Sequence, residues 1–369
     1  MMGKLYAKYL PLIAGGLFLT IFISSCKKDR NTPPPPVVTP VPLATLGLYE
    51  VDSSIYKRIF IPITKIGTVN VTYYSVFDTG SAGMTVDADG LLPKSMITSS
   101  GITVAGDSVN VNGITVTSQQ AVVAYGDAQS QIREYGNLAY TTVTIGDQNG
   151  KITTSRIPIF LYYKIVDSQT GQKAPVHSND VFGVGPGLSF ANNAIGSPLS
   201  YFKSPTGATS GFKLQTLGSA FSLGGTFVPN LLTIGLVPDD LNASSGFVMH
   251  QLNYFSQGGY SPDIPAQVTY NGHNVSATLL FDTGTPAIST IENSGAASNI
   301  AQLPAGTTVT MTTNSGFTYS YVTSQADNLT QVAKPSYTGD PRTIFSIDFF
   351  SDNEFLMDYK GHRIGLKNN

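Results

Sequence analysis

The sequence predicts an all-β fold of two related lobes, on three observations. Glycine, tyrosine and phenylalanine are plentiful (37, 19 and 19 of 369 residues) while charged residues make up only 12 %, a mixture that suits short strands joined by tight turns. Runs rich in β-branched and aromatic residues recur at 59–63, 69–77, 109–116, 141–145 and 157–162. They are punctuated by pairs such as Gly106-Asp107, Asn112-Gly113 and Asn271-Gly272. Finally, a six-residue segment occurs twice, as Val76-Phe77-Asp78-Thr79-Gly80-Ser81 and as Leu280-Phe281-Asp282-Thr283-Gly284-Thr285. The separation is too long for a solenoid repeat and about the length of one lobe, so the chain reads as a duplicated domain. Short helices are expected only at 189–194 and 291–300.

The formal net charge of -2 provides no basic footprint, so no nucleic-acid partner is expected. Cys26 is the single cysteine, which excludes an intrachain disulfide and a paired-cysteine zinc or redox site. The histidines His177, His250, His273 and His362 lie far apart, so neither a metal nor an organic cofactor is expected.

The N-terminus reads as a processing signal. Lys4 and Lys8 precede an apolar run that is short for a membrane span, and Ile23-Ser24-Ser25-Cys26 follows it. This tail resembles the lipobox of bacterial lipoproteins, which implies acylation of Cys26 and a stable membrane tether, since each buried methylene adds roughly 0.8 kcal/mol. By the same resemblance, Lys27 implies the outer membrane, on its periplasmic face or at the cell surface. Pro33 to Pro36, Pro40 and Pro42 then form a semi-rigid extended spacer. The expected organisation is a signal at 1–25, the lipidated cysteine and linker at 26–45, a first lobe at 46–245 and a second at 246–369.

Two matched Asp-Thr-Gly segments have a chemical rationale. Carboxylates held within hydrogen-bonding distance cannot both ionise cheaply, so they share a proton and titrate as a unit. The ionised one can draw a proton from water while the protonated one polarises a carbonyl. Glycine permits a tight loop that brings backbone N–H groups to the carboxylates.

At these residues the chain resembles the pepsin family of aspartic endopeptidases. Ile66-Gly67-Thr68 resembles the family's approach to its first catalytic loop, and Asp180-Val181-Phe182-Gly183-Val184-Gly185 the segment packed behind the first aspartate. Leu232-Thr233-Ile234-Gly235 resembles the strand leaving the first lobe, and the segments Phe355 to Tyr359 and Arg363 to Leu366 the last two strands. The resemblance implies a pepsin-like fold with a cleft between pseudo-symmetric β lobes. It implies Asp78 and Asp282 as the catalytic dyad, with Ser81 and Thr285 hydrogen-bonded to them. Thr79, Gly80, Thr283 and Gly284 would support the loops. Ala124-Tyr125-Gly126, with 140–146 beyond it, resembles the flap that closes over substrate, with 129–134 at its tip. Tyr125 and Gly126 are then the substrate-facing residues, and Tyr135 is the second candidate for the flap tyrosine. A protein or peptide substrate, a monomer and no cofactor are implied.

Departures from the pattern are Pro286, Ser346 where a glycine is expected, the absence of tryptophan near Met84, and a short stretch after Asp282. A side chain at Ser346 is expected to crowd the second loop. These departures support the alternative of a surface lipoprotein that binds peptides or another ligand on this scaffold without efficient turnover.

Overall fold

The computed structural model describes residues 39–53, 56–218, 221–256 and 258–369. The expected signal, Cys26 and most of the proline-rich spacer lie outside the described residues. Where the chain is described, strands dominate, and the turn chemistry sets their pairing. Asn112-Gly113 and Asn271-Gly272 both adopt positive φ (55° and 73°, 46° and 77°), the backbone of a tight two-residue hairpin turn. The first joins Ser108–Val111 to Ile114–Gly126, so the expected single strand at 109–116 is split by its own turn. The second joins Ile264–Tyr270 to His273–Phe281.

Neither expected helix forms: 189–194 is a short hairpin, and 291–300 is a strand end followed by a turn-rich loop. Leu188–Ser189 pairs with Asn192–Gly196 around a turn that leaves Phe190 94 % exposed, and the Asn192 side chain accepts from the Ala194 N–H at 2.9 Å. Ile288–Glu292 pairs in parallel with Leu329–Ala333, and Ile300–Gln302 borders the same strand. Asparagine and serine in both segments, with glycine in the second, favour turns over a continuous helix.

Two large sheets carry the architecture. An eight-stranded sheet runs in the order 300–302, 329–333, 288–292, 343–345, 273–281, 264–270, 308–313 and 318–322. A 16-stranded sheet holds the first-half strands and continues through Ala44–Ser53, Thr226–Leu236, Thr209–Leu214, Asn353–Asp358, Arg363–Asn368 and Val248–Gln251. The last strands of the chain therefore pair with strands of the first half, through Phe212↔Met357 and its neighbours. This shared stretch joins the two lobes beneath the cleft.

Each lobe presents its repeat segment in the same way. Val69–Asp78 lies parallel to Val181–Val184, with Phe77 opposite Phe182 and Asp78 opposite Gly183. His273–Phe281 lies parallel to Thr343–Phe345, with Phe281 opposite Phe345. Each strand becomes buried only over its last residues, Phe77 in the first and Leu279 to Phe281 in the second, and each carboxylate emerges at that buried strand end facing the other lobe.

A dense aromatic cluster fills the second lobe. The Phe349 ring lies 4.3 Å from Phe281, 5.3 Å from Tyr319 and 5.3 Å from Phe350, centroid to centroid. Phe349 is 2 % exposed. Truncation by Phe349→Ala is expected to cost about 3–5 kcal/mol through lost burial and the cavity left behind. Thermal or denaturant unfolding followed by circular dichroism checks this; a loss under about 1 kcal/mol would contradict the packing described.

Candidate active site

The two Asp-Thr-Gly loops meet where the sheets face each other, and their contacts are reciprocal. Thr79 Oγ1 donates to the Phe281 carbonyl at 2.8 Å and accepts from the Thr283 N–H at 3.0 Å. Thr283 Oγ1 donates to the Phe77 carbonyl at 2.6 Å and accepts from the Thr79 N–H at 3.1 Å. Both threonines are buried. Each hydroxyl thus satisfies a donor and an acceptor of the opposite lobe, which holds the loops at one fixed separation.

That separation brings the carboxylates together. Asp78 Oδ1 accepts from the N–H groups of Gly80 (2.7 Å) and Ser81 (3.1 Å), and Oδ2 accepts from Ser81 Oγ at 2.6 Å. Asp282 Oδ1 accepts from the Gly284 N–H at 2.7 Å and Oδ2 from Thr285 Oγ1 at 2.6 Å. Gly80 lies against the Asp282 carboxylate: a Cβ placed on it would stand 2.5 Å from Asp282 Cγ. Gly284 faces Asp78 in the same way, at 2.7 Å from its Cγ. Burial, with the neighbouring Asp282 charge adding to it, pushes Asp78 up to about 8. A proton held between the two carboxylates is the state that this geometry favours.

Ser346 does not crowd the second loop. Its Oγ accepts from Ser289 Oγ at 3.2 Å, and its N–H donates to the same oxygen at 3.0 Å. The chain then turns into the short helix Ile347–Ser351, and the Ile347 N–H donates to the Thr285 carbonyl. The matching Gly183 has no such room, because a Cβ there would lie 2.7 Å from the Gly83 carbonyl oxygen and 2.8 Å from Ser81 Oγ.

A hairpin of Ile114–Gly126 and Gln131–Thr141 carries Tyr125 and Gly126. Its tip is 127–130 rather than 129–134, because the Asp127 carboxylate caps the turn by accepting from the Gln129 and Ser130 N–H groups at 2.8 and 2.9 Å. A Cβ on Gly126, at φ 103°, would run into the Ser130 carbonyl. The tip touches the second lobe: the Ala128 N–H donates to the Thr338 carbonyl at 2.8 Å, and Gln129 Nε2 to the Tyr337 carbonyl at 2.7 Å. Tyr125 packs with Val123, Leu138, Phe160 and Ile195. Burial raises its phenol well above the ordinary range, helped by Glu134 and Asp78 and opposed by the Thr85 hydroxyl. Tyr135 points to the other face, with Lys164 Nζ 4.0 Å from its ring centroid. The Thr85 hydroxyl stands beside Tyr125.

Sequence reasoning missed a polar cluster behind this hairpin. Asp180 accepts from the Tyr162 hydroxyl and the Asp87 N–H at 2.7 and 2.9 Å, and its Oδ2 lies 2.7 Å from His177 Nδ1. Glu134 is fully buried; its Oε1 accepts from Asn179 Nδ2 at 2.9 Å. Burial pushes Glu134 up to about 8, against the hydrogen bonds from Asn179 and Thr85. A charge at an inward position of an otherwise apolar alternation was the only signal available. Arg58 was missed too. It is half-buried, and its guanidinium feels the charges of Asp282 and Asp78.

No family model and no curated protein matches the chain. Solved structures do. An aspartic proteinase from Irpex lacteus superposes with a TM-score of 0.54 at 17 % identity, covering 88 % of this chain and 98 % of its own. Basic 7S globulin from soybean gives 0.55 at 13 % identity, covering 89 % and 96 %. Conglutin gamma, a basic 7S globulin from lupine seeds, gives the same values. The fold is pepsin-like. Identities this low speak for the fold alone, and two of these pepsin-like structures are named as globulins rather than proteinases, so activity rests on the site.

Two outcomes test the site. Gly80→Ala places a methyl on the Asp282 carboxylate and is expected to destabilise the protein by about 1–3 kcal/mol by forcing the loops apart; a denaturation midpoint unchanged from the parent would show that the loops are not so close. Glu134 holds a proton in the fold that the unfolded chain loses near pH 4.5. Its contribution to stability is therefore fully present below about 4.5 and is lost as pH rises to about 8. Glu134→Gln should be more thermostable than the parent at pH 8, with the gap closing towards pH 4.5. A gap that widens on acidification would refute the assignment.

Proposed function

We propose that the chain is an aspartic endopeptidase in which Asp78 and Asp282 activate a water molecule. The observation that carries this reading is the pair of carboxylates, each hydrogen-bonded by its own loop and each packed against the glycine of the other. A protein with no use for the pair would gain stability by replacing one of two adjacent buried acids.

The mechanism follows from one shared proton. The ionised carboxylate takes a proton from the water, whose oxygen attacks the peptide carbonyl carbon, and the protonated Asp78 donates to the carbonyl oxygen. The gem-diol then collapses: the carboxyl that took the water proton gives it to the amine nitrogen, and the C–N bond breaks. A gem-diol hydroxyl returns its proton to Asp78, leaving the dyad with its single proton. Gly80 and Ser81 N–H groups, with the Ser81 and Thr285 hydroxyls, hold the carboxylates still, so little reorganisation accompanies the transfer. The hairpin at 114–141 is the flap, with Tyr125 and Gly126 on its substrate side, and an extended peptide would pair its backbone along it. Release of the tip from Thr338 and Tyr337 admits that peptide. The chain acts as a monomer, without cofactor or metal. The signal at 1–25 and an acylated Cys26 would tether it to the outer membrane, with the lobes divided near 245.

The alternative, a surface lipoprotein that binds peptides without efficient turnover, draws support from the tip's hydrogen bonds to the second lobe, which close the cleft in the described state.

The test incubates the full chain with a diverse peptide mixture from acid to alkaline pH and reads cleavage by mass spectrometry. Asp78→Asn and Asp282→Asn should each lower kcat/KM by at least about 10²–10⁴-fold. Activity should fall about tenfold per pH unit above about 8, because the acid form of Asp78 is present below that value and lost above it. Cleavage that survives both substitutions would exclude the dyad. Folded parent protein that binds peptides but cuts none would favour the alternative.

A further inference from the structure

The cleft holds a cation that nothing in the mechanism above uses. Arg58 lies on Tyr56–Ile66, the strand paired with the one that ends at Asp78. Phe60 is paired with Val76, and two residues further along the same alternation Arg58 and Asp78 come onto one face. The strand is pinned there from its other side. Lys57 Nζ crosses to the second lobe and bridges Asp327 at 2.8 Å and Asp348 at 3.0 Å. Arg58 is thus fixed at the seam between the lobes, beside the dyad.

Its guanidinium is poorly satisfied. Nη1 donates to the Lys57 carbonyl at 3.2 Å, and none of the ion pairs among the described residues includes Arg58. The charged groups whose fields reach it are Asp282 and Asp78, with the Tyr56 phenol on its own strand, and burial works against its charge. The neighbouring Lys57 is already committed to the second lobe. A half-buried guanidinium carries a desolvation cost that only an anionic partner offsets well, and its planar fork matches a carboxylate bidentately.

We propose that Arg58 is a specificity-determining residue that binds the carboxylate of an acidic side chain, Asp or Glu, close to the scissile bond of the substrate. This rests on the endopeptidase reading and narrows its substrate class to acidic peptides. The dyad and the substrate carboxylate do not compete for the same state, since one proton on the dyad leaves it a single negative charge. An aliphatic or amide side chain at the same position would leave the guanidinium unpaired on closure, so discrimination comes from the uncompensated cation as much as from the gained pair.

The experiment uses the full chain and pairs of peptides identical except for Glu or Gln at each of four positions on either side of the cleaved bond. At neutral pH one position should favour Glu by at least about tenfold in kcat/KM, the range of a charge-assisted hydrogen bond. The ratio should collapse as pH falls through about 4.3, where the substrate carboxylate protonates. In Arg58→Met the ratio should approach one, and in Arg58→Lys part of it should remain. A residue acting only on the fold or on the dyad would change both peptides of a pair alike and leave the ratio standing. A parent enzyme that prefers Glu at no position overturns the proposal, as does an Arg58→Met enzyme that keeps the preference. Should Arg58→Met fail to fold, the parent ratio and its loss at low pH decide the matter. Should neither peptide of any pair be cut, the endopeptidase reading has failed instead. The Glu/Gln ratio of dissociation constants, measured by calorimetry, then tests Arg58 directly: about tenfold supports it and unity overturns it.

Discussion

Two hydroxyl groups set the geometry on which the rest depends. Thr79 and Thr283 each donate to a carbonyl of the opposite loop and accept from its N–H, across the seam between lobes and away from water. A buried reciprocal set of this kind tolerates little displacement, because moving one loop would break several bonds at once. The distance between the aspartates, the close approach of Gly80 and Gly284 and the burial that raises Asp78 all follow from it. The shared sheet beneath, where Asn353–Asp358 pairs with Thr209–Leu214, keeps the lobes from drifting below the loops.

Negative charge accumulates in the first lobe. Asp78, Asp87, Asp180 and Glu134 are all buried, yet the chain as a whole is nearly neutral. The first lobe meets the cost with hydrogen bonds, a protonated carboxyl and one histidine contact rather than with lysine or arginine at these four acids. Asp180 is tied to Tyr162 and His177, Asp87 accepts from the N–H groups of Asp89 and His177, and Glu134 stays protonated. The cluster meets the hairpin at Thr85, whose hydroxyl stands beside both Tyr125 and Glu134. Two cations among the described residues feel the dyad: Arg342, already paired with Asp340, and Arg58, which has no ion-pair partner there.

The flap combines order and release. Its strands are long and paired from Thr115 to Gln131, and its tip is a capped turn. What ties it to the second lobe is a single backbone bond at Ala128 and one side-chain amide at Gln129. Bonds at a solvent-accessible edge exchange readily with water, so closure is weak by comparison with the threonine grip. The lobes are thus held by a buried reciprocal set of bonds, and the hairpin tip by two bonds near the surface.

Much of this was legible in the residues. The β class follows from local pattern and the lobe count from the repeat, because strand alternation and the aspartate loops are short-range features. The Asn-Gly pairs are legible as breaks, yet the β-rich run 109–116 spans one of them and masks its turn. The segments 189–194 and 291–300 read as helices, but the first is a local hairpin and the second a loop after a strand whose partner at 329–333 lies outside any local window. Which side chains share a site was decided by tertiary structure alone. Nothing near Ser346 indicated that Ser289 would receive it, and nothing near Glu134 placed it against Asn179. Arg58 reads as one more polar residue at a strand end until that strand's register carries it to Asp78. The sequence determined the chemistry available and the two loops that carry it, because those depend on residue type and local turn geometry. The tertiary structure decided their distance, protonation and electrostatic company, because burial and long-range pairing are properties of the assembled sheets.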